Sequence, residues 1–480
     1  MTDVDAVVVG SGPNGLAGAL RLADAGLRVL VLEAADRPGG GLRTEELTLP
    51  GFRHDVCSTV QALAQASLAF RTLDLPSSGL EYVDPPIPLG HPLDGGDAVL
   101  VHRDIDETAR GLGRDGTGWR QTAGAIAQAG LGLVDGLLDP LQVPPRHPVK
   151  LAGFGVRGIW PATVLNRIAF REERTRAMFA GIAAHAVLPL SSPGTAGFGL
   201  VLASLAHSVG WPVAVGGSQA VADVMVRRLE AQGGEVRLGS PVRSLDELPS
   251  ASITLLDLTP KQVLQVAGDQ LPPRYAKALQ RFKYGPGVFK VDWALDGPVP
   301  WRNPGLAGAG TVHLGGSAGE IAASERAVAS GRHTRRPYVL FVQASVADPS
   351  RAPAAKQTGW AYCHVPNGST VDMTDIIEAQ VERFAPGFRE RILARHVMGP
   401  AALEAHNANE VGGDINGGSA SLTQFVTRPV ISVDPWATPL PGVYLCSSST
   451  PPGGGVHGMG GWHAAGRALA RLGATRSVEN

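Results

Sequence analysis

Asp5-Ala6-Val7-Val8-Val9-Gly10-Ser11-Gly12-Pro13-Asn14-Gly15 lies near the start of the chain, and Leu27-Arg28-Val29-Leu30-Val31-Leu32-Glu33 follows a helix-like stretch that runs to Gly26. Strand, glycine turn, helix and strand in this order make a βαβ unit with a dinucleotide fingerprint. Gly10 permits the tight turn. Gly12 lets a pyrophosphate approach the backbone at the positive end of the helix, where Pro13 and Asn14 flank it, and Gly15 lets that helix pack against the sheet. Glu33, eighteen residues after Gly15, is placed to take ribose hydroxyls. In a chain with 62 glycines a bare GxGxxG says little, so the flanking strands and the terminal carboxylate carry the reading.

The next residues extend it. Arg37-Pro38-Gly39-Gly40-Gly41-Leu42-Arg43-Thr44 resembles the R-x-G-G-x-x-x-[ST] segment of glutathione-reductase-like flavoproteins of the amine oxidase and phytoene desaturase type. That resemblance implies FAD, with Ala34, Arg37, Gly40, Gly41, Leu42 and Arg43 beside it. Gly41 stands where many relatives have arginine, which makes Arg43 the better candidate for the phosphates or the flavin edge. The alternative is a glycine-rich turn with a solvated arginine.

A second match lies at the other end. Pro441 to Thr450 reads as a short buried strand running into a small-residue turn, Pro451 to His463 as a glycine-rich loop, and Ala464 to Ala470 as a helix. A loop at a helix N-terminus holds anionic or carbonyl-rich ligands by backbone N–H groups. It is similar to the C-terminal flavin motif of phytoene desaturase-like proteins, which implies contacts from Ser448, Gly455, His457, Gly458 and Met459. Two motifs at opposite ends facing one cofactor make the nucleotide domain discontinuous.

Composition narrows the class. The 480 residues are 44% hydrophobic and 18% charged, with a formal net charge of −1, so no basic stripe points to nucleic acid. No charged n-region with a cleavage site precedes the first strand, and no stretch of eighteen apolar residues lacks a charge or a breaker, so the expected location is cytoplasmic. Cys57, Cys363 and Cys446 form no CxxC or CxxxxC pair. This argues against a disulfide framework, a metal site and disulfide reductase chemistry, and each is expected to be reduced and buried.

Between the motifs the pattern alternates. Leu49 to Ser58 reads as a β-bend. Apolar helices broken by glycine and proline fill the region to about 204, among them Leu131–Leu138 and Gly153–Trp160. An amphipathic helix from Ala220 to Gln232 leads to a strand at Glu235–Leu238 and to Val242, which by resemblance lies against the adenine. The hairpin that usually follows this valine is trimmed to a few residues. Strands at Val288–Trp293 and Tyr338–Gln343 and a helix at Met373–Phe384 read as a mixed sheet with helices. Trp360-Ala361-Tyr362-Cys363-His364-Val365-Pro366 and Gly412-Gly413-Asp414-Ile415-Asn416-Gly417-Gly418 resemble signatures of bacterial phytoene dehydrogenase-like oxidoreductases, in the branch that includes pyridine nucleotide-disulfide oxidoreductase domain-containing proteins. The expected fold is therefore α/β. A glutathione-reductase-like FAD-binding Rossmann domain from 1–75, 205–265 and 435–480 joins a substrate domain from 76–204, which is helical, and 266–434.

The resemblance implies an FAD-dependent oxidoreductase that desaturates a hydrophobic polyene, isoprenoid or lipid-like molecule by hydride transfer to flavin N5. His457 is the candidate proton relay, and its alternative role is to hydrogen-bond the loop backbone. His185, His364 and His463 are weaker candidates. The apolar run Ala196–Ala206, with residues 125–165, reads either as core or as a tunnel wall in peripheral contact with a membrane. A flavin-dependent isomerase or saturase of the same fold, and a flavin-bound binding or assembly protein without turnover, stand as alternatives. An amine oxidase is a lesser one, since no aromatic pair flanks the loop.

Overall fold

In the computed structural model, which describes residues 4–140 and 147–479, strands from both ends of the sequence and its middle share one parallel sheet. Its order is Val443–Leu445, Ile253–Leu256, Ala6–Val9, Val29–Leu32 and Glu235–Arg237. Ala6 pairs with Val29 on one side and with Ile253 on the other. Continuous Val/Leu runs suit this position because helices cover both faces of the sheet. The helices Pro13–Asp24, Gln219–Ala231 and Met459–Glu479 bury Leu16, Leu20, Val221 and Ala465 against one face, and Val263 and Leu279 close the other. The chain runs from Arg237 to Ile253 without a hairpin, as the trimmed sequence predicts.

The second sheet is mixed. Its order is Ile392–Met398, Gly287–Leu295, Gln357–Val365, Val339–Val342, Ala309–Leu314, Ile87–Pro92 and Ala98–Val101, all antiparallel except for the pair Ala309–Leu314 with Ile87–Pro92. One face packs on Trp293, Phe341 and Phe388 beneath the helix Thr374–Phe384. The opposite face meets the helices Glu173–Ala183 and Thr195–Ser208 through Met178, Phe179 and Leu200. This second interface lines the cavity described below.

A two-stranded ribbon, Thr44–Glu45 with His54–Asp55, joins the two sheets. Asp55 accepts from Thr44 Oγ1 at 2.6 Å and from Ser218 N at 2.9 Å, and pairs with the fully buried guanidinium of Arg351. Arg351 also meets Asp348 at 3.1 Å. Burial alone would raise the Asp55 pKa, but Arg351 and these donors hold it below the ordinary carboxylate value.

The C-terminal helix departs from expectation by starting at Met459 rather than Ala464. The Met459 N–H donates to His457 Nδ1 at 3.0 Å, so the histidine caps a helix whose first turn holds two glycines. A Cβ on Gly461 would lie 1.7 Å from the Asn14 carbonyl oxygen. The glycines that read as loop therefore allow two helices from opposite ends of the chain to touch along their backbones.

Candidate active site and cofactor groove

The fingerprint turn closes around a residue that sequence reasoning missed. Gly10 has φ +98°, and a Cβ there would sit 3.1 Å from the carbonyl oxygen of Asp257. A Cβ on Gly12 would lie 2.7 Å from Asp257 Oδ2, and one on Gly15 2.1 Å from the Gly10 oxygen. Gly12, at the N-cap of the helix, has no side chain to satisfy the free N–H groups. Asp257 Oδ2 accepts from Gly15 N at 2.9 Å instead. Burial pushes this carboxyl up to about 7, the nearby Glu33 charge adds to the rise, and the Gly15 bond opposes it. The signal was positional, since Asp257 ends the strand beside Ala6–Val9, at the carboxyl edge where parallel sheets bind ligands.

Glu33 Oε2 accepts from Ser11 N at 2.8 Å and from Ser11 Oγ at 2.6 Å, while Oε1 accepts from Ala35 N at 2.9 Å. Arg43 Nη2 lies 3.5 Å from Oε1, and Arg43 Nη1 donates to the His406 carbonyl at 3.0 Å. Arg43 Nε is buried without a partner among the described residues. A buried cation with a free donor, beside helix N–H groups and a glycine cradle, suits an anionic dinucleotide.

These groups line one continuous cavity of about 1110 Å³. Gly10, Gly12, Pro13, Asn14, Glu33, Ala34, Gly40, Gly41, Arg43, Val242, Ser448 and Gly455 border it. Gly15, Arg37, Leu42, Gly458 and Met459 do not: Gly15, Leu42, Gly458 and Met459 support the wall from behind, and Arg37 is exposed to solvent. Asn14 ties the two motifs together. Its Oδ1 accepts from Gly460 N at 3.1 Å and its Nδ2 donates to Ser448 Oγ at 3.5 Å.

His457 stands outside the cavity lining, 1% exposed, with Nδ1 taken by Met459 N and Nε2 3.1 Å from the Gly453 carbonyl. Burial pushes its pKa down to about 4. Both ring nitrogens serve the backbone, so the structure gives this histidine no route to a substrate. His463 Nε2 likewise meets the Leu138 carbonyl at 2.9 Å, and His364 Nδ1 meets Glu325 at 2.8 Å.

Beyond Gly41 the cavity becomes apolar, walled by Leu137, Phe154, Phe198, Val201, Leu340 and Trp360. Trp360 stacks with Tyr362 at 5.8 Å and donates to Thr59 Oγ1 at 2.9 Å. Cys57 is at the wall rather than fully buried, and burial together with the Glu410 carboxylate holds its thiol well above the ordinary value. Glu410, also on the wall, accepts from Asn407 Nδ2 at 3.2 Å and is pushed up to about 7 by burial. Just past the first signature segment, Asn367 Nδ2 donates to the carbonyl of Val411, which directly precedes the second, at 2.9 Å, and to the Gly285 carbonyl at 2.8 Å. Among the described residues no His/Cys/Asp/Glu cluster could hold a metal, and no helix is long and apolar enough to cross a membrane.

Fold and groove together define a protein with a Rossmann-like dinucleotide-binding domain and the architecture seen in solved amine oxidases. Residues 8–72 match the NAD(P)-binding Rossmann-like domain. The chain is 26% identical to rat (Rattus norvegicus) pyridine nucleotide-disulfide oxidoreductase domain-containing protein 2, over 96% of this chain and 93% of that protein. It is also 26% identical to the neurosporene-forming phytoene desaturase of Rhodobacter capsulatus, over 94% and 91%. Among solved structures, putrescine oxidase bound to putrescine superposes with a TM-score of 0.63 at 19% identity, over 98% of this chain and 99% of that one. That likeness is one of fold.

Proposed function

We propose that the protein dehydrogenates a hydrophobic, isoprenoid- or polyene-like molecule, removing a hydride and a proton from adjacent carbons to leave a double bond. The observation that carries this reading is the apolar chamber continuous with the dinucleotide groove. FAD, when bound, supplies the acceptor for the hydride. Gly10, Gly12, Glu33 and Arg43 would hold its pyrophosphate and ribose, Val242 its adenine, and Ser448 and Gly455 its flavin end. Phe154, Phe198, Val201 and Leu340 exclude water and grip the substrate by its apolar surface. Glu410 is the proposed proton acceptor, because a wall carboxyl with a pKa of about 7 can both take and release a proton near neutrality. The desaturase named among the relatives supports the substrate class.

The open chamber also bears on the non-catalytic alternative, which a cavity filled by side chains would have favoured. We further propose that the sequence divides as 1–75, 205–265 and 435–480 for the nucleotide domain and 76–204 and 266–434 for the substrate domain, a division the two sheets support; the 76–204 part is not purely helical as expected, since Ile87–Pro92 and Ala98–Val101 pair into the mixed sheet. Val149, Val156 and Ile168 are exposed on the helices Pro148–Gly158 and Ala162–Ala169, beside Phe154 and Ile159 of the cavity wall. This favours peripheral contact with a membrane surface.

The test is anaerobic flavin reduction by isoprenoid hydrocarbons in three proteins: the unaltered chain, Val201→Trp and Glu410→Gln. The reading expects Val201→Trp to keep its flavin and lose reduction by substrate, and Glu410→Gln to slow reduction by about 10²-fold or more. Unchanged rates in both variants would refute it.

A further inference from the structure

The apolar chamber has one wall with unfulfilled polarity. His185 borders it, half-buried, in the turn Ala184–Ala186 that ends the helix Glu173–Ala183. Its Nε2 lies 3.0 Å from Nε2 of His313, a fully buried residue on the strand Ala309–Leu314. Val187, two residues on and also at the wall, holds φ +51°, a left-handed conformation that a β-branched residue rarely adopts. The backbone is thus locked where His185 projects. Gly181 makes room for the partner ring, since a Cβ there would lie 3.0 Å from His313 Nδ1.

The pair determines what His185 offers the chamber. Burial lowers the pKa of His185 to about 3 and that of His313 well below its ordinary value, so both rings are neutral near pH 7. Two neutral imidazoles facing each other through Nε2 share one proton. His313 Nδ1 is buried without a partner. If His185 were the donor, His313 would keep its proton on that Nδ1, leaving a buried N–H unsatisfied. An unsatisfied acceptor is the more tolerable state. His313 therefore donates through Nε2, His185 accepts, and the His185 proton sits on Nδ1. That nitrogen makes no hydrogen bond among the described residues.

Thr311 strengthens the case independently. It lies two residues before His313 on the same strand and hence on the same face, it borders the chamber, and its buried Oγ1 has no partner. Around these two groups the wall is apolar, with Val187, Phe198, Leu340 and Val342.

We propose that His185 Nδ1–H and Thr311 Oγ1 form a hydrogen-bonding station that anchors an oxygen atom, a hydroxyl or carbonyl, on an otherwise apolar substrate. His313 is a positioning residue that sets the tautomer. The inference rests on the chamber being the site of an apolar substrate, as proposed above.

The test uses flavin-loaded protein and two probes that differ in one oxygen, farnesol and farnesene, with affinities read from quenching of tryptophan fluorescence and from the flavin spectrum. The quantity is the ratio of the farnesene Kd to the farnesol Kd, in which the hydrocarbon's own contribution cancels between variants. His185→Phe should lower that ratio by about tenfold, the size of one hydrogen bond to a neutral group, with farnesene affinity kept. His185→Gln, which retains an N–H donor, should recover part of it, and Thr311→Val should lower it separately. Flavin content equal to that of the unaltered protein controls for folding. A ratio unmoved in both His185→Phe and Thr311→Val, with farnesene bound, overturns the station and leaves the apolar chamber standing. Failure of both probes to bind the unaltered protein removes the chamber reading and the station with it.

Discussion

Replacing Gly12 by alanine tests the geometry of the fingerprint without straining the backbone. Gly12 has φ −66° and ψ 173°, angles that alanine adopts freely, so any effect comes from the added methyl. That methyl would stand 2.7 Å from Asp257 Oδ2. The carboxyl has to rotate, which surrenders its 2.9 Å bond from Gly15 N. A buried N–H left without an acceptor costs about 1–3 kcal/mol, and residual crowding adds about 1–3 kcal/mol. An unfolding entropy of about 2.1 cal/mol/K per residue makes 1 kcal/mol worth about 1 °C in a chain of 480 residues, so the apoprotein should melt roughly 2–6 °C lower. The methyl also occupies the path of the pyrophosphate, and flavin retention should fall by more than the melting shift explains. The double variant Gly12→Ala/Asp257→Ser separates the two effects. Serine can still accept from Gly15 N and takes less room, so melting should recover while flavin content stays low. The assay is FAD per chain after gel filtration, with apoprotein melting alongside. Full flavin and an unchanged melting temperature in Gly12→Ala would show that neither Asp257 nor the pyrophosphate needs the space beside Gly12.

Glu33→Ala removes the acceptor for Ser11 N, Ser11 Oγ and Ala35 N; FAD per chain should fall sharply and Glu33→Gln should be intermediate, whereas equal flavin in all three would remove Glu33 from the ribose site. Arg351→Ala strands Asp55 and Asp348 in the interior and should cost about 3–5 kcal/mol, read by thermal or urea melting; a loss below about 1 kcal/mol would show that the ion pair does not hold the ribbon to the sheets. Asp257 titrates at about 7 when folded against an ordinary value of 3.8, so the folded state keeps a proton that the unfolded state has released, and its contribution to stability declines as pH rises from about 4 to about 7. The melting advantage of Asp257→Asn over the unaltered apoprotein should therefore grow across that window and level off above it; a difference that does not vary with pH would contradict the buried, uncompensated carboxyl.

Local patterns carried the fingerprint well. The strand Ala6–Val9, the helix Pro13–Asp24 and the strand Val29–Leu32 follow from a valine run, a Pro at the first helical position and a second apolar run, each decided within a few residues. The start of the C-terminal helix was missed because Gly460 and Gly461 disfavour helix by propensity. Contact with the Asn14 backbone, from the other end of the chain, requires them there. Candidate site residues divide in the same way. Glu33 and Arg43 were readable because their spacing from the fingerprint is fixed by one βαβ unit. Asp257, the Asp55–Arg351 pair and the His185–His313 pair were not, since each joins side chains from distant segments whose proximity exists only after both sheets have formed. His457 was conspicuous as a bulky titratable group among glycines, yet its position gives it a capping role.

On the proposed reading, an apolar molecule in the chamber is oxidised at the bound flavin. The most direct measurement is the flavin absorbance of the purified holoprotein mixed anaerobically with a hydrophobic extract of the cells that produce it, followed by mass analysis of the products. Dehydrogenation would bleach the flavin band and give a product two hydrogens lighter than its precursor. An unbleached flavin, with double bonds altered only after chemical pre-reduction or not altered at all, would contradict it.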